Sequence, residues 1–192
     1  MAGLYIHIPF CKSRCIYCGF YSTTQLEQRQ KYVDALCKEM ILRSDHRSEG
    51  VKELRSFDNT EATNNLSTCQ LVNLSTKINT IYLGGGTPSQ LSIAQLEQLF
   101  IYINKVYSIG EDAEVTMECN PDDITDDYAQ AISRLPINRV SMGVQTFDDN
   151  RLRFLLRRHS SENVYNAVER LRQAGINNIS IDLMYGFPNQ TV

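Results

Sequence analysis

Three observations predict an α/β fold whose parallel sheet closes into a barrel or partial barrel. Short apolar, β-branched runs alternate with helical patterns in five successive units along the 192 residues, an order that demands parallel pairing through right-handed crossovers. Each run feeds into a loop of glycine, proline, asparagine, glutamine or cysteine. A hydrophobic content of 42% suffices for one sizeable core, so a single domain is expected.

The first unit opens with residues 3–8, GLYIHI, which alternate as a short strand and stop at Pro9. A cysteine-rich loop follows. From Leu26 the spacing changes: Val33, Leu36, Cys37, Met40 and Ile41 share one helical face that runs to about Arg43. Cys37 on that face reads as a small core residue. Residues 44–76 are rich in Ser, Thr and Asn and lack periodicity. That span exceeds the ~12–15 residues of ordinary connections, so it reads as a polar surface insertion, with Cys69 a loop thiol.

The second unit is INTIYL, residues 78–83, running straight into Gly84, Gly85, Gly86, Thr87 and Pro88. Ser92 and Gln95 then form a capping-box pattern ahead of Ile93, Leu96, Leu99, Phe100 and Ile103 at helical spacing. The third has a strand over 114–119, an Asn-Pro-Asp-Asp turn and a helix over about 125–134 with acidic residues in its first turn, where the helix dipole favours them. In the fourth, a strand over 139–144 precedes a helix carrying Val164, Val168 and Leu171 and capped by Gly175. The fifth strand covers 179–184 and ends at Gly186 and Pro188. Val192 follows a strand with no helix after it. The expectation is therefore a domain over residues 1–192 that forms the N-terminal part of a longer protein, cut before a sixth strand.

A formal net charge of -3 with dispersed Lys and Arg argues against a nucleic-acid or membrane-surface role. The N-terminus has no signal-peptide pattern, and no stretch approaches the ~18 apolar residues of a membrane span. The expected location is the cytoplasm, where six cysteines are free thiols or metal ligands rather than a disulfide framework.

In α/β barrels the functional loops stand at the carboxyl ends of the strands. Here those ends carry Cys11, Cys15 and Cys18, then Gly84 to Thr87, then Glu118, Gln145 and Asp182. Three thiolates at C-x3-C-x2-C spacing can hold three irons of a [4Fe–4S] cube and leave the fourth open. Zinc normally takes four ligands, and His7 could complete such a set although it lies in a strand. A zinc-stabilised binding domain is thus one alternative. The glycine triplet lets backbone groups approach a polar ligand, with the Thr87 hydroxyl beside them. It is no nucleotide P-loop, because the Gly-Lys-Ser/Thr ending is missing. Taken singly, Glu118 could cap the turn at Asn120 and Asp182 could pair with an arginine.

CKSRCIYC within YIHIPFC, followed in order by GGGTPS, ECNP, GVQTF and DLMYGFP, resembles the radical S-adenosylmethionine (SAM) enzymes. The similarity is to the branch of anaerobic coproporphyrinogen III dehydrogenase and the HemW-type haem chaperones, and it covers the chain outside 44–76. It implies that family's partial (βα) barrel, a [4Fe–4S] cluster on Cys11, Cys15 and Cys18 whose open iron chelates SAM, and reductive cleavage of SAM to a 5′-deoxyadenosyl radical. Position by position it implies SAM contacts at Tyr5, Gly85, Gly86 and Thr87, an aromatic bordering adenine at Tyr17, and polar contacts at Glu118, Gln145, Arg157 and Asp182. It implies no role for Cys119. Gly19-Phe20 stands where the dehydrogenase has Gly-Cys, which brings the chain closer to the chaperone and argues against decarboxylation of coproporphyrinogen. A HemW-type chaperone that binds haem and delivers it to acceptor proteins is therefore the expected function, with an oxygen-independent coproporphyrinogen III oxidase as the alternative. The implied partners are haem or a porphyrinogen, an electron-donor protein and haem-acceptor proteins.

Overall fold

The computed structural model describes residues 2–45, 77–188 and 190. Five strands, β1 (Ala2–Ile8), β2 (Lys77–Gly85), β3 (Ser108–Cys119), β4 (Arg139–Gln145) and β5 (Asn178–Leu183), form one sheet in sequence order. Every neighbouring pair is parallel. The crossovers carry α1 (Arg29–Asp45), α2 (Ile93–Val106), α3 (Asp126–Ile132), α4 (Asp149–Phe154) and α5 (Ser161–Gln173). This is the arrangement of a partial (βα) barrel, as the alternation of units predicts.

Alternation along each strand sorts the side chains between two faces. Ile6, Ile8, Ile81, Leu83, Val115, Met117, Val140 and Met142 join one core with Val33 of α1, Leu96 and Leu99 of α2 and Val164 of α5. Leu83, Leu96 and Leu99 are wholly buried, each contributing about 1.5–3 kcal/mol relative to exposure. The intervening positions give the opposite face a polar row from Tyr5 and Tyr82 through Glu118 and Ser141 to Asp182. Helices thus cover one side of the sheet, and the other is left for chemistry.

The expected capping box starts α2: Gln95 N–H donates to Ser92 Oγ at 3.3 Å, and Ser92 N–H donates to Gln95 Oε1 at 3.0 Å. Two features depart from the sequence reading. β3 begins at Ser108 rather than 114, because the polar stretch ahead of Ala113 continues the ladder by pairing Ser108 and Ile109 with Lys77 and Ile78. A short helix, α4, also forms between β4 and α5, capped by Asp148, whose carboxylate accepts the N–H groups of Asn150 and Arg151. The insertion predicted at 44–76 lies outside the described residues beyond Asp45, and so does Cys69. Among the described residues no helix is long and apolar enough to cross a membrane.

Candidate metal and cofactor site

The cysteine loop hangs from a pinned base. Thr23 N–H donates to the Pro9 carbonyl at 2.7 Å and Cys11 N–H to the Thr23 carbonyl at 2.9 Å, so Phe10 and Thr23 form a parallel bridge. Phe10 is buried and meets the Tyr32 ring edge-on, with ring centres 5.4 Å apart. Beyond this base the loop turns outward, and Phe20 and Tyr21 are 73% and 79% exposed.

The glycine turn secures the same base from β2. Gly86 N–H donates to the Ile8 carbonyl and Thr87 N–H to the Phe10 carbonyl, both at 2.8 Å. A Cβ on Gly86 would stand 2.7 Å from the Pro9 carbonyl carbon, and Gly85 has a φ of 113° that side chains resist. Gly85 N–H donates to Glu118 Oε2 at 3.0 Å. All three amides are thus used within the chain, and the glycines allow the end of β2 to lie against the root of the cysteine loop.

Thr87 places its hydroxyl 3.4 Å from Cys11 Sγ. Burial pushes the Cys11 thiol up, opposed by the hydroxyls of Thr87 and Ser22. Arg157 donates to Cys15 Sγ at 3.4 Å, while Cys18 is exposed. Burial also raises the Tyr17 phenol to about 12, against the pull of Arg157. Glu118 accepts from Tyr82 Oη at 2.8 Å in addition to Gly85, so its carboxylate serves the strand ends and not the turn at Asn120. Gln145 closes β4 with a φ of 70°, and Asp182 lies beside Gly143 on β5. Among the described residues Asp182 makes no ion pair with an arginine; Arg139 donates to Thr116 Oγ1 at 3.1 Å and Ser180 Oγ at 2.9 Å.

These elements enclose a pocket of about 320 Å³. Its lining includes Cys11, Cys15, Cys18, Tyr17 and residues 85–87, together with Glu118, Gln145, Arg157 and Asp182. Of the residues expected to contact SAM or the cluster, Tyr5 lies outside that lining. Its ring stacks on Tyr82 with centres 6.1 Å apart, and its hydroxyl lies 3.0 Å from His7 Nδ1. His7 Nε2 meets the Tyr21 carbonyl at 3.1 Å, so both ring nitrogens are engaged away from the thiols. Among the described residues no three His, Cys, Asp or Glu side chains converge as ligands of a single ion. A cube gives each thiolate its own iron, and three thiols around an open pocket are a donor set that fits one.

Sequence reasoning missed the wall opposite the cysteine loop. Asp123 accepts from Ser89 Oγ at 2.7 Å, Gln90 Nε2 at 2.6 Å and Arg158 at 3.1 Å, and Arg158 also pairs with Asp122 at 2.9 Å. Burial and the adjacent Asp123 push the Asp122 carboxyl up, against Arg158. Asn120 and His159 are buried; burial and the nearby Arg157 lower the His159 imidazole to about 4. The Asn-Pro-Asp-Asp and Arg-Arg-His stretches were the available signal, since polar residues that crowd a strand end and a helix end can meet only across the rim.

The profile of the Radical SAM superfamily matches residues 5–192. The chain is 37% identical over 188 residues to "Heme chaperone HemW" of Lactococcus lactis, covering 98% of this chain and 42% of that protein. It is 31% identical over 191 residues to "Oxygen-independent coproporphyrinogen III oxidase" of Bradyrhizobium diazoefficiens, covering 37% of that protein. Among solved structures it resembles coproporphyrinogen III oxidase (HemN) from Escherichia coli, with a TM-score of 0.79 and 29% identity over 98% of this chain and 38% of the other. The chain therefore spans less than half the length of these relatives.

Proposed function

The chain belongs to the radical SAM superfamily, and from that premise we propose that it is the cluster- and SAM-binding core of a HemW-type haem chaperone. Membership implies SAM and a [4Fe–4S] cluster. In this reading Cys11, Cys15 and Cys18 hold the cluster, which when bound supplies one electron to the SAM sulfonium. Glu118 and Asp182 take ribose hydroxyls and the methionine ammonium, for which carboxylates are suited acceptors. Tyr17 borders adenine, Gln145 and residues 85–87 complete the walls, and Tyr5 braces Tyr82 behind Glu118. Residues 1–192 act as one domain of a longer cytoplasmic protein. Its partners are haem, an electron-donor protein and haem acceptors.

One observation carries the chaperone reading: 37% identity to a haem chaperone across 98% of the chain. Phe20, 73% exposed where the dehydrogenase pattern has cysteine, supports it. The likeness to HemN favours a second reading, an oxygen-independent coproporphyrinogen III oxidase. The discriminating experiment reconstitutes the protein anaerobically, titrates haem by absorbance and assays conversion of coproporphyrinogen III. Haem retained without vinyl formation supports the chaperone, and conversion of propionates to vinyl groups moves the assignment to the oxidase. Zinc in place of iron and sulfide overturns both.

A further inference from the structure

The wall opposite the cysteine loop contains a hydrogen-bonded relay that ends on one of the three thiols. Arg157 Nη2 donates to Asn120 Oδ1 at 2.8 Å and to the Gly143 carbonyl. Its Nη1 donates to Cys15 Sγ at 3.4 Å. Its Nε is buried and meets no acceptor among the described residues. With Nη2 committed twice, the plane of the guanidinium is set by Asn120 and Gly143, and Nη1 is the end presented to the pocket.

Asn120 is itself held from two sides. Its backbone N–H donates to Ser89 Oγ at 3.1 Å, and Ser89 is anchored on Asp123. Its Oδ1 lies 3.2 Å from His159 Nδ1, and His159 Nε2 lies 3.1 Å from the Val144 carbonyl oxygen. Both facing atoms are acceptors, so the neutral imidazole, packed between the end of β4 and Asn120, donates its one N–H to one of them. His159 is 3% exposed and Asn120 8%, so neither contact competes with bulk water. Burying polar groups is costly unless their geometry is used, and the use visible here is the orientation of Arg157.

We propose that Asn120 and His159 are positioning residues that hold Arg157 against Cys15 Sγ, so that the guanidinium raises the reduction potential of the cluster through this thiol. The inference rests on the reading that Cys11, Cys15 and Cys18 hold a [4Fe–4S] cluster. A hydrogen bond from a cation withdraws charge from a ligating sulfur and favours the reduced, more negative cluster, and such bonds are among the known determinants of cluster potential. Cys11 meets only neutral hydroxyls, those of Thr87 and Ser22. The relay therefore makes the three ligands inequivalent, with Cys15 the least electron-rich.

The test is the midpoint potential of the anaerobically reconstituted protein, followed by electron paramagnetic resonance without SAM, so that no SAM contact enters the comparison. Arg157→Gln removes the charge and its aim, Arg157→Lys keeps the charge and loses the fork, and Asn120→Ala and His159→Gln leave Arg157 in place but release it. The expected result is wild-type iron and sulfide content in all four, with a more negative potential in each and the largest shift in Arg157→Gln. Should Asn120→Ala fail to fold by circular dichroism, His159→Gln and Arg157→Lys read the same effect. Iron loading with unchanged potentials in these variants overturns the inference and leaves the cluster assignment standing. A wild-type protein that takes up no iron and sulfide overturns the underlying reading.

Discussion

Two walls of the same pocket are built in opposite ways. The cysteine loop is bonded to the chain at its base and by two longer contacts of 3.4 Å beyond it, from Ile16 N–H to the Leu155 carbonyl and from Arg157 to Cys15 Sγ, but its side chains are exposed over the tip, where Ile16 and Phe20 are 55% and 73% open to solvent. The facing wall, from Asn120 to Asp123 and from Arg157 to His159, is cross-bonded through half-buried ion pairs and the buried Asn120 amide. A loop that exists to ligate metal needs only its base fixed, because bound metal supplies the remaining constraints. A wall that presents charge must be rigid before anything binds, since solvent would otherwise reorganise around it. Stability should therefore reside in one wall and cofactor binding in the other.

The most severe way to break this contrast is Cys15→Ser. Iron and sulfide after anaerobic reconstitution should fall to a small fraction of wild type, while the urea stability of the cofactor-free chain changes by less than about 0.5 kcal/mol. A large loss of apo stability would show that the loop also carries the fold.

Asp123→Ala sharpens the other side. It leaves Arg158, Ser89 and Gln90 without a shared acceptor, although Arg158 keeps Asp122, and losing the charged acceptor of these part-buried donors costs about 1–3 kcal/mol. Urea unfolding of the apo protein measures it, and a change below about 1 kcal/mol would mean the network is ornamental.

For the carboxylates between the walls, Glu118→Ala and Asp182→Ala should each weaken SAM binding at least about tenfold by calorimetry on cluster-loaded protein, a lost charged contact being worth about 2–5 kcal/mol. Unchanged affinity in both would remove these residues from the SAM contacts. Glu118→Ala should also lower stability, because Tyr82 Oη and Gly85 N–H lose their acceptor. Asp182→Ala should not.

A further effect concerns pH. His159 is held at about 4 in the folded chain, below its ordinary 6.5. Between those values the unfolded chain binds a proton that the folded chain refuses, so stability falls as pH drops from about 6.5 towards 4, with a limiting slope of about 1.4 kcal/mol per pH unit. Above 6.5 this residue contributes no slope. Urea midpoints of wild type and His159→Gln across that range should converge as pH falls. Parallel curves would show that another group titrates there.

Much of this organisation is legible in the chain because it is local. The helical spacing of Leu96, Leu99 and Ile103, the reciprocal Ser92 and Gln95 cap, and the glycine after α5 each express one element's own chemistry. The pocket residues at strand ends are legible for a related reason, since parallel order fixes which end of every strand shares the rim. The six-residue α4 escaped because so short a helix shows no repeat, and its signal is only the Asp148 cap. The start of β3 escaped because its residues are polar and are held by the backbone of β2. Asn120, Arg158 and His159 escaped because their partners, Ser89, Asp123 and Asn120, come from other units, and no single-segment pattern encodes that meeting.

The pinned base of the cysteine loop has a consequence for chain entropy. Once Phe10 and Thr23 are bridged, the ends of the loop are already together, and no ligand has to draw them in. Closure cost grows only as the logarithm of length, about 0.6 kcal/mol for each doubling, so residues added or removed after the third thiol, between Cys18 and the bridge at Thr23, shift the free energy of assembly very little. The spacing between the thiols has no such latitude. On the reading that the three sulfurs hold a cluster, the loop can therefore vary in its outward face while those sulfurs keep one geometry.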